Sequence, residues 1–184
     1  GAGGPGRVRD RLREPAVAAL FASAGCMVFA HASLYAFFSL YLQRQGYSGA
    51  QIGLVWALGV VAEIVLFWCQ RPLFERFGAM PLLAVSLGVA VARFAGIALS
   101  DGAVAWIVLA QLLHAVTFGV HHSACMSLLQ RWFDPQQQSR AQALFSAIAY
   151  GVGGTSGALA AGWNRRSGRC TPLAPREYAI GDPE

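Results

Sequence analysis

Six ionisable side chains lie inside apolar runs of this 184-residue chain: His31, Glu63, Arg93, His114, His121 and His122. A charge at the centre of a bilayer costs roughly 2.5–3.5 kcal/mol on insertion scales, so each is a candidate for a substrate or ion pathway. Histidine changes charge between about pH 5 and 8, which suits proton coupling. An arginine facing a cavity is a natural counter-ion for an anionic substrate. At a rise of about 1.5 Å per residue, His31, Arg93 and His114 fall near the middle of their runs, and Glu63 and His121 nearer the arginine-rich side. Glu63 and Arg93 also admit a structural reading, as an ion pair locking the second run to the third across a depth difference of about 9 Å.

His114 and His121 are two helical turns apart and are expected to share a face, whereas His122 is rotated by about 100°. A histidine between helices also serves as a hydrogen-bond bridge, but two on one face opposite a third favour a polar pathway. The segments His31-Ala32-Ser33-Leu34-Tyr35-Ala36 and His114-Ala115-Val116-Thr117-Phe118-Gly119 both read His-Ala-x-x-aromatic-small. Such a match is expected of equivalent helices in an inverted repeat, whose site forms near the midplane at the repeat interface, and it brings Tyr35 into the candidate pathway.

Two enzyme-like or cofactor readings compete. Gly154-Thr155-Ser156-Gly157 is a GxSG string like the nucleophile motif of rhomboid intramembrane proteases, but no histidine follows Ser156. The same stretch carries the ridges Gly153-x3-Gly157-x3-Ala161 and Gly154-x3-Ala158-x3-Gly162, whose small residues permit close helix packing. His31 with His114 or His121 could ligate a haem between helices, although the longer paired-histidine spacing of two-haem membrane cytochromes is absent. Four separated cysteines give neither a disulfide framework nor a zinc site, so no cofactor or metal is expected.

The elements that position these residues are membrane helices. The chain is 55% hydrophobic and 12% charged, far from the roughly 25% charged residues of a soluble domain. Five runs, 16–42, 50–69, 81–99, 103–129 and 141–163, meet or approach the roughly 20 apolar residues that cross a bilayer. They must be helices, because lipid offers backbone amides no partner and the runs lack the alternation of a barrel. Short connections make the fold class an all-α, five-helix, up-and-down membrane bundle. Nucleic-acid binding is not expected, because the arginines lie mostly in loops instead of on one face with exposed aromatics.

Arg7, Arg9, Arg11, Arg13, Arg71, Arg76, Arg131 and Arg140 fall on one side of such a bundle, and Arg44 alone on the other. The positive-inside rule then puts the amino terminus in the cytoplasm. Residues 1–15 read as a flexible cytoplasmic linker. The polar tail 164–184 puts four more arginines on the outer side; either it folds back or, the favoured reading, it is non-native sequence left by truncation or a changed frame, with a sixth helix lost.

The run Gly46-Tyr47-Ser48, Ile52-Gly53, Trp56 and Leu58-Gly59-Val60-Val61-Ala62-Glu63-Ile64, with Arg93 and Leu113-His114-Ala115-x-Thr117-Phe118, carries a resemblance. From about residue 16 to 163 the chain resembles the carboxy-terminal half of phenylpropionate-permease-like transporters of the major facilitator superfamily. The resemblance implies that the five helices correspond to the seventh through eleventh of twelve in a bacterial cytoplasmic membrane, with an amino-terminal half as missing partner. The superfamily's loop motif G-x-x-x-D-[RK]-x-G-[RK] is echoed by Glu75, Arg76 and Gly78, while Arg71 at the first glycine position and Ala79 at the last basic one depart from it. Glu75 and Arg76 would form a conformational latch at the cytoplasmic helix ends. The implied activity is proton-coupled uptake of a small organic molecule such as an aromatic acid, with Glu63, His31 and His114 as proton carriers and Arg93 near a carboxylate. A reading from another class is a small helical membrane scaffold, or a haem- or cofactor-binding membrane anchor.

Overall fold

The computed structural model describes residues 8–166, and these are helical nearly throughout. Five helices are long and apolar enough to cross a membrane: a first span Pro15–Arg44, a second Gly49–Cys69, a third Ala79–Leu99, a fourth Val104–Trp132 and a fifth Pro135–Trp163. Most of the tail 164–184 lies outside the described residues, although the last helix, Thr155–Arg166, continues to Arg166.

The helix ends follow local chemistry. Ser48 caps the second span in a capping box: its hydroxyl accepts from the Gln51 amide, and the Gln51 side chain accepts from the Ser48 amide at 2.8 Å. Such reciprocal caps satisfy two of the otherwise orphaned first-turn amides. Proline occupies the first turn of the first and fifth spans, where its missing amide costs no helical bond.

Hydropathy places the second and fourth connections too generously. Of the expected loop 130–140, only Phe133 and Asp134 are extended, and helix resumes at Pro135. The polar run Pro135-Gln136-Gln137-Gln138 is helix, and polarity alone cannot distinguish such a helical end from a loop. The second connection likewise contains the short helix Arg71–Phe77, which ends at Gly78 with φ +75°, a conformation that favours glycine. The expected linker is also partly structured: Val8–Arg11 is helical, and Arg11 donates to the carbonyl of Trp132 and pairs with Glu14 at 2.7 Å.

The first span packs along the fifth, and the fourth lies between the second and the third. Of the two small-residue ridges, Gly153 and Gly157 form the first–fifth interface. A Cβ on Gly153 would stand 2.6 Å from the Gly25 carbonyl, and one on Gly157 would collide with the Phe29 carbonyl. Ser33 Oγ donates to the Gly157 carbonyl at 3.0 Å across that contact. Gly162, on the other ridge, faces open space.

Two apolar clusters form the core. One joins Leu20, Phe21, Leu83, Leu128 and Phe145 with their neighbours; the other joins Phe38, Leu42, Ile52, Ile97 and Ile107. Along the first span His31 falls between them, along the third Arg93, and along the fourth His114 and Thr117. The polar residues therefore make a layer part-way through an otherwise apolar bundle.

The fourth and fifth spans each contain a π-helical segment, Ala115–Val120 and Ala147–Gly154. Such turns insert an extra residue into an α-helix and recur at functional sites.

Candidate functional site

The centre of the polar layer is Arg93, of which only 1% is exposed. Its Nε donates to the Ala110 carbonyl at 2.7 Å, and its Nη1 to His31 Nε2 at 3.1 Å and Thr117 Oγ1 at 3.2 Å. Nη2 reaches Gln111 Oε1 at 3.5 Å, and the guanidinium lies 5.4 Å from the Phe94 ring. Thr117 Oγ1 can accept from Arg93 while its own proton goes to the His114 carbonyl at 3.3 Å or to His31 Nε2 at 3.4 Å. The third span thus supplies the cation, and the first and fourth supply neutral acceptors.

Among the described residues no carboxylate lies within ion-pair distance of Arg93. The Glu63–Arg93 pair allowed by the sequence does not form, and Glu63 instead approaches His114, with 3.6 Å between Oε2 and Nε2. The reason is topological. The fourth span stands between the second and third, so a side chain leaving the second meets His114 first. Two glycines permit the approach: Gly59 lies against Gln111 and His114, and Gly119 against Leu66 and Glu63.

The two His-Ala-x-x-aromatic segments meet across the bundle. The rings of His31 and His114 are 5.6 Å apart, and each histidine also packs on both aromatics, His31 at 5.8 Å from Tyr35 and 5.6 Å from Phe118, His114 at 6.0 and 5.4 Å. Tyr35 Oη lies 3.3 Å from His114 Nε2. Tyr35 itself packs edge-on against Trp56, whose indole donates to Ser39 at 3.0 Å. Tyr35 and Tyr150 are 38% and 39% exposed and the Glu63 side chain 19%, so the layer opens on one side through aromatic rings and a carboxylate.

His121 has a partner of its own, with Cys125 Sγ 3.8 Å from its Nδ1. The expectation that it shares a face with His114 assumed uninterrupted α-helix. The π-helical segment between them closes i→i+5 and turns less per residue, so the two histidines have separate partners. His122 Nδ1 lies 3.1 Å from Tyr150 Oη, and Phe118 stands between Tyr150 and His114.

Glu75 pairs with Arg71 within its own short helix at 2.7 Å, and Arg76 lies over the Phe77 ring. Ser156 returns its proton to the carbonyl of Val152 at 2.6 Å, in its own span. His31 has both nitrogens engaged, Nδ1 by the Met27 carbonyl at 2.9 Å and Nε2 by Arg93, which leaves no free lone pair for a haem iron.

Gln111, Trp56 and Tyr150 join the site without having been singled out as site residues from the sequence. Gln111 carried a signal: it is an uncharged polar residue three positions before His114 within an apolar run. A search confined to ionisable groups passes over it.

A buried polar layer with a carboxylate facing its open side, midway through a bundle of apolar helices, is the arrangement expected of a multi-pass membrane transporter. The family model described as "MFS_1 like family" matches residues 6–171, and the chain belongs to that family of transporters, not enzymes. It is 40% identical over 125 residues to the "Probable 3-phenylpropionic acid transporter" of Escherichia coli (strain K12), across 66% of this chain and 32% of the relative. It is 25% identical over 118 residues to the "Uncharacterized transporter YwbF" of Bacillus subtilis (strain 168), across 64% of this chain and 29% of the relative. The chain therefore spans about a third of the length of the curated relatives it matches. No solved structure matches it.

Proposed function

We propose that this chain is part of the carboxy-terminal half of a proton-coupled secondary transporter that carries a small organic acid, with an aromatic acid as the favoured substrate. The single observation that carries this reading is the approach of Glu63 to His114 inside the bundle, at the mouth of an aromatic layer. A carboxylate in this position changes the balance between inward- and outward-open states when it gains a proton, which is what coupling requires. Tyr35, Trp56, Phe118 and Tyr150 offer ring edges and faces to a flat apolar substrate. The name of the Escherichia coli relative, a probable 3-phenylpropionic acid transporter, supports the same substrate class.

In this reading His31, Tyr35, Glu63, Arg93 and His114 form the substrate and proton site, and His121 lies on the cytoplasmic flank of the pathway. Arg93 provides the positive potential that favours an acid, and its engaged donors make it the organiser of the layer. Glu75 and Arg76, near the cytoplasmic end, form a latch with the other half of the transporter. The protein resides in a bacterial cytoplasmic membrane with the amino-terminal end of this chain inside, and transport requires that other half.

The test is uptake of labelled 3-phenylpropionate by the full-length protein containing this chain, in vesicles with an imposed inward proton gradient. Uptake that collapses with a protonophore, and is lost in Glu63→Gln and His114→Ala at normal protein levels, is the expected result. Normal gradient-driven uptake by both variants would overturn the site assignment. Gradient-insensitive uptake by the wild type would overturn proton coupling.

A further inference from the structure

The two histidines at the centre of the layer are chemically unlike, although the sequence makes them look equivalent. His31 Nδ1 faces the Met27 carbonyl at 2.9 Å, and a carbonyl only accepts, so Nδ1 carries the hydrogen. His31 Nε2 faces Arg93 Nη1 at 3.1 Å, and a guanidinium only donates, so Nε2 keeps its lone pair. The nearest partner of each ring nitrogen therefore cannot reverse roles, and the Thr117 hydroxyl, 3.4 Å from Nε2, can donate to the same lone pair. A second proton on Nε2 would set an N–H against an N–H of a cation in a site 1% exposed.

His114 is free of this constraint. Its Nδ1 has no hydrogen-bond partner among the described residues, and its Nε2 faces two groups that can each accept or donate a proton, Tyr35 Oη at 3.3 Å and Glu63 Oε2 at 3.6 Å. The charged and titratable groups around the pair are distributed over every neighbouring span. Arg93 of the third span lies behind His31, His121 of the fourth is engaged with Cys125, and Tyr150 of the fifth lies beyond Phe118.

We infer that the exchangeable proton is held between Glu63 and His114, and that His31 is a permanently neutral positioning residue that holds Arg93 and carries no proton. The loaded state has one proton on the pair, either as carboxylic acid with neutral imidazole or as carboxylate with imidazolium, and the two forms interconvert by transfer between Oε2 and Nε2. The empty state is carboxylate with neutral imidazole. The sequence-level expectation of His31 as a third carrier is thereby replaced. The inference rests on the proposed proton coupling for its meaning, but the protonation states themselves are measurable without transport.

The experiment is nitrogen NMR of the full-length protein containing this chain, labelled with 15N-histidine in lipid nanodiscs, with signals assigned from single histidine variants. From pH 5 to 9 the His31 signals should stay those of a neutral ring with hydrogen on Nδ1. His114 should change protonation within that range, and Glu63→Gln should change its titration while leaving the His31 signals unmoved. Arg93→Gln should release His31, which then gains access to the other tautomer. If that variant does not fold, the wild-type spectrum decides alone. An imidazolium or an Nε2–H tautomer at His31 in the wild type would sink the inference, as would a His114 indifferent to both pH and Glu63→Gln. Failed uptake with these spectra intact would instead count against the transport reading.

Discussion

Glu63 reaches His114 and not Arg93: its Oε2 stands 3.6 Å from His114 Nε2, while Arg93 gives its donors to His31, Thr117, Gln111 and the Ala110 carbonyl. The carboxylate and the buried cation thus belong to two adjoining networks, one open to the mouth of the layer and one sealed. An acid locked to a guanidinium is held ionised and binds a proton only reluctantly, whereas an acid beside a histidine has a partner that can share one. This division underlies the first two predictions.

Glu63→Gln keeps the shape of the side chain and removes its titration. The dependence of substrate affinity on pH, expected at about 5–150-fold for a coupling of ordinary size, should disappear, while exchange of substrate without a gradient survives. Binding at two pH values and counterflow in vesicles check this.

Arg93→Gln should lower stability by about 1–3 kcal/mol, because it leaves buried neutral acceptors without their donor. Arg93→Lys should rescue little, since one ammonium cannot reach acceptors arranged around a planar fork. Thermal unfolding in a mild detergent reads both. A Gln variant as stable as the wild type would show that the sealed network is not structural.

Gly157→Val and Gly153→Val place side chains against the carbonyls of Phe29 and Gly25 and should each cost about 1–3 kcal/mol or force the first span off the fifth. Gly162→Ala, facing open space, is the control and should be neutral. Cysteine cross-linking between the first and fifth spans, with unfolding temperature, separates these outcomes.

At the opposite end from the arginine-rich loops, Tyr47 Oη donates to the Gly102 carbonyl at 2.7 Å, and Gly102 N donates to Tyr41 Oη at 2.9 Å. These bonds tie the connection after the first span to the one after the third. Tyr47→Phe should therefore cost about 0.5–1.5 kcal/mol and loosen both connections together, as limited proteolysis or hydrogen exchange would register.

The five apolar helices and the presence of ionisable groups within them can be read from the order of residues alone. Length and hydropathy are properties of a contiguous run, and lipid leaves such a run no conformation but helix. The paired His-Ala-x-x-aromatic segments were legible for the same reason, and the bundle brings their rings within 5.6 Å. Which side chain partners which is set by how the spans pack. Glu63 meets His114 because the fourth span comes between the second and third, and His121 parts from His114 because π-helical backbone intervenes. Gln111 enters the Arg93 network through a contact between spans that its own neighbours in sequence do not announce. The chemical difference between His31 and His114 belongs to this second kind. It is set by the carbonyl, guanidinium and carboxylate that three different spans bring to two like rings, and no one-dimensional pattern contains that arrangement.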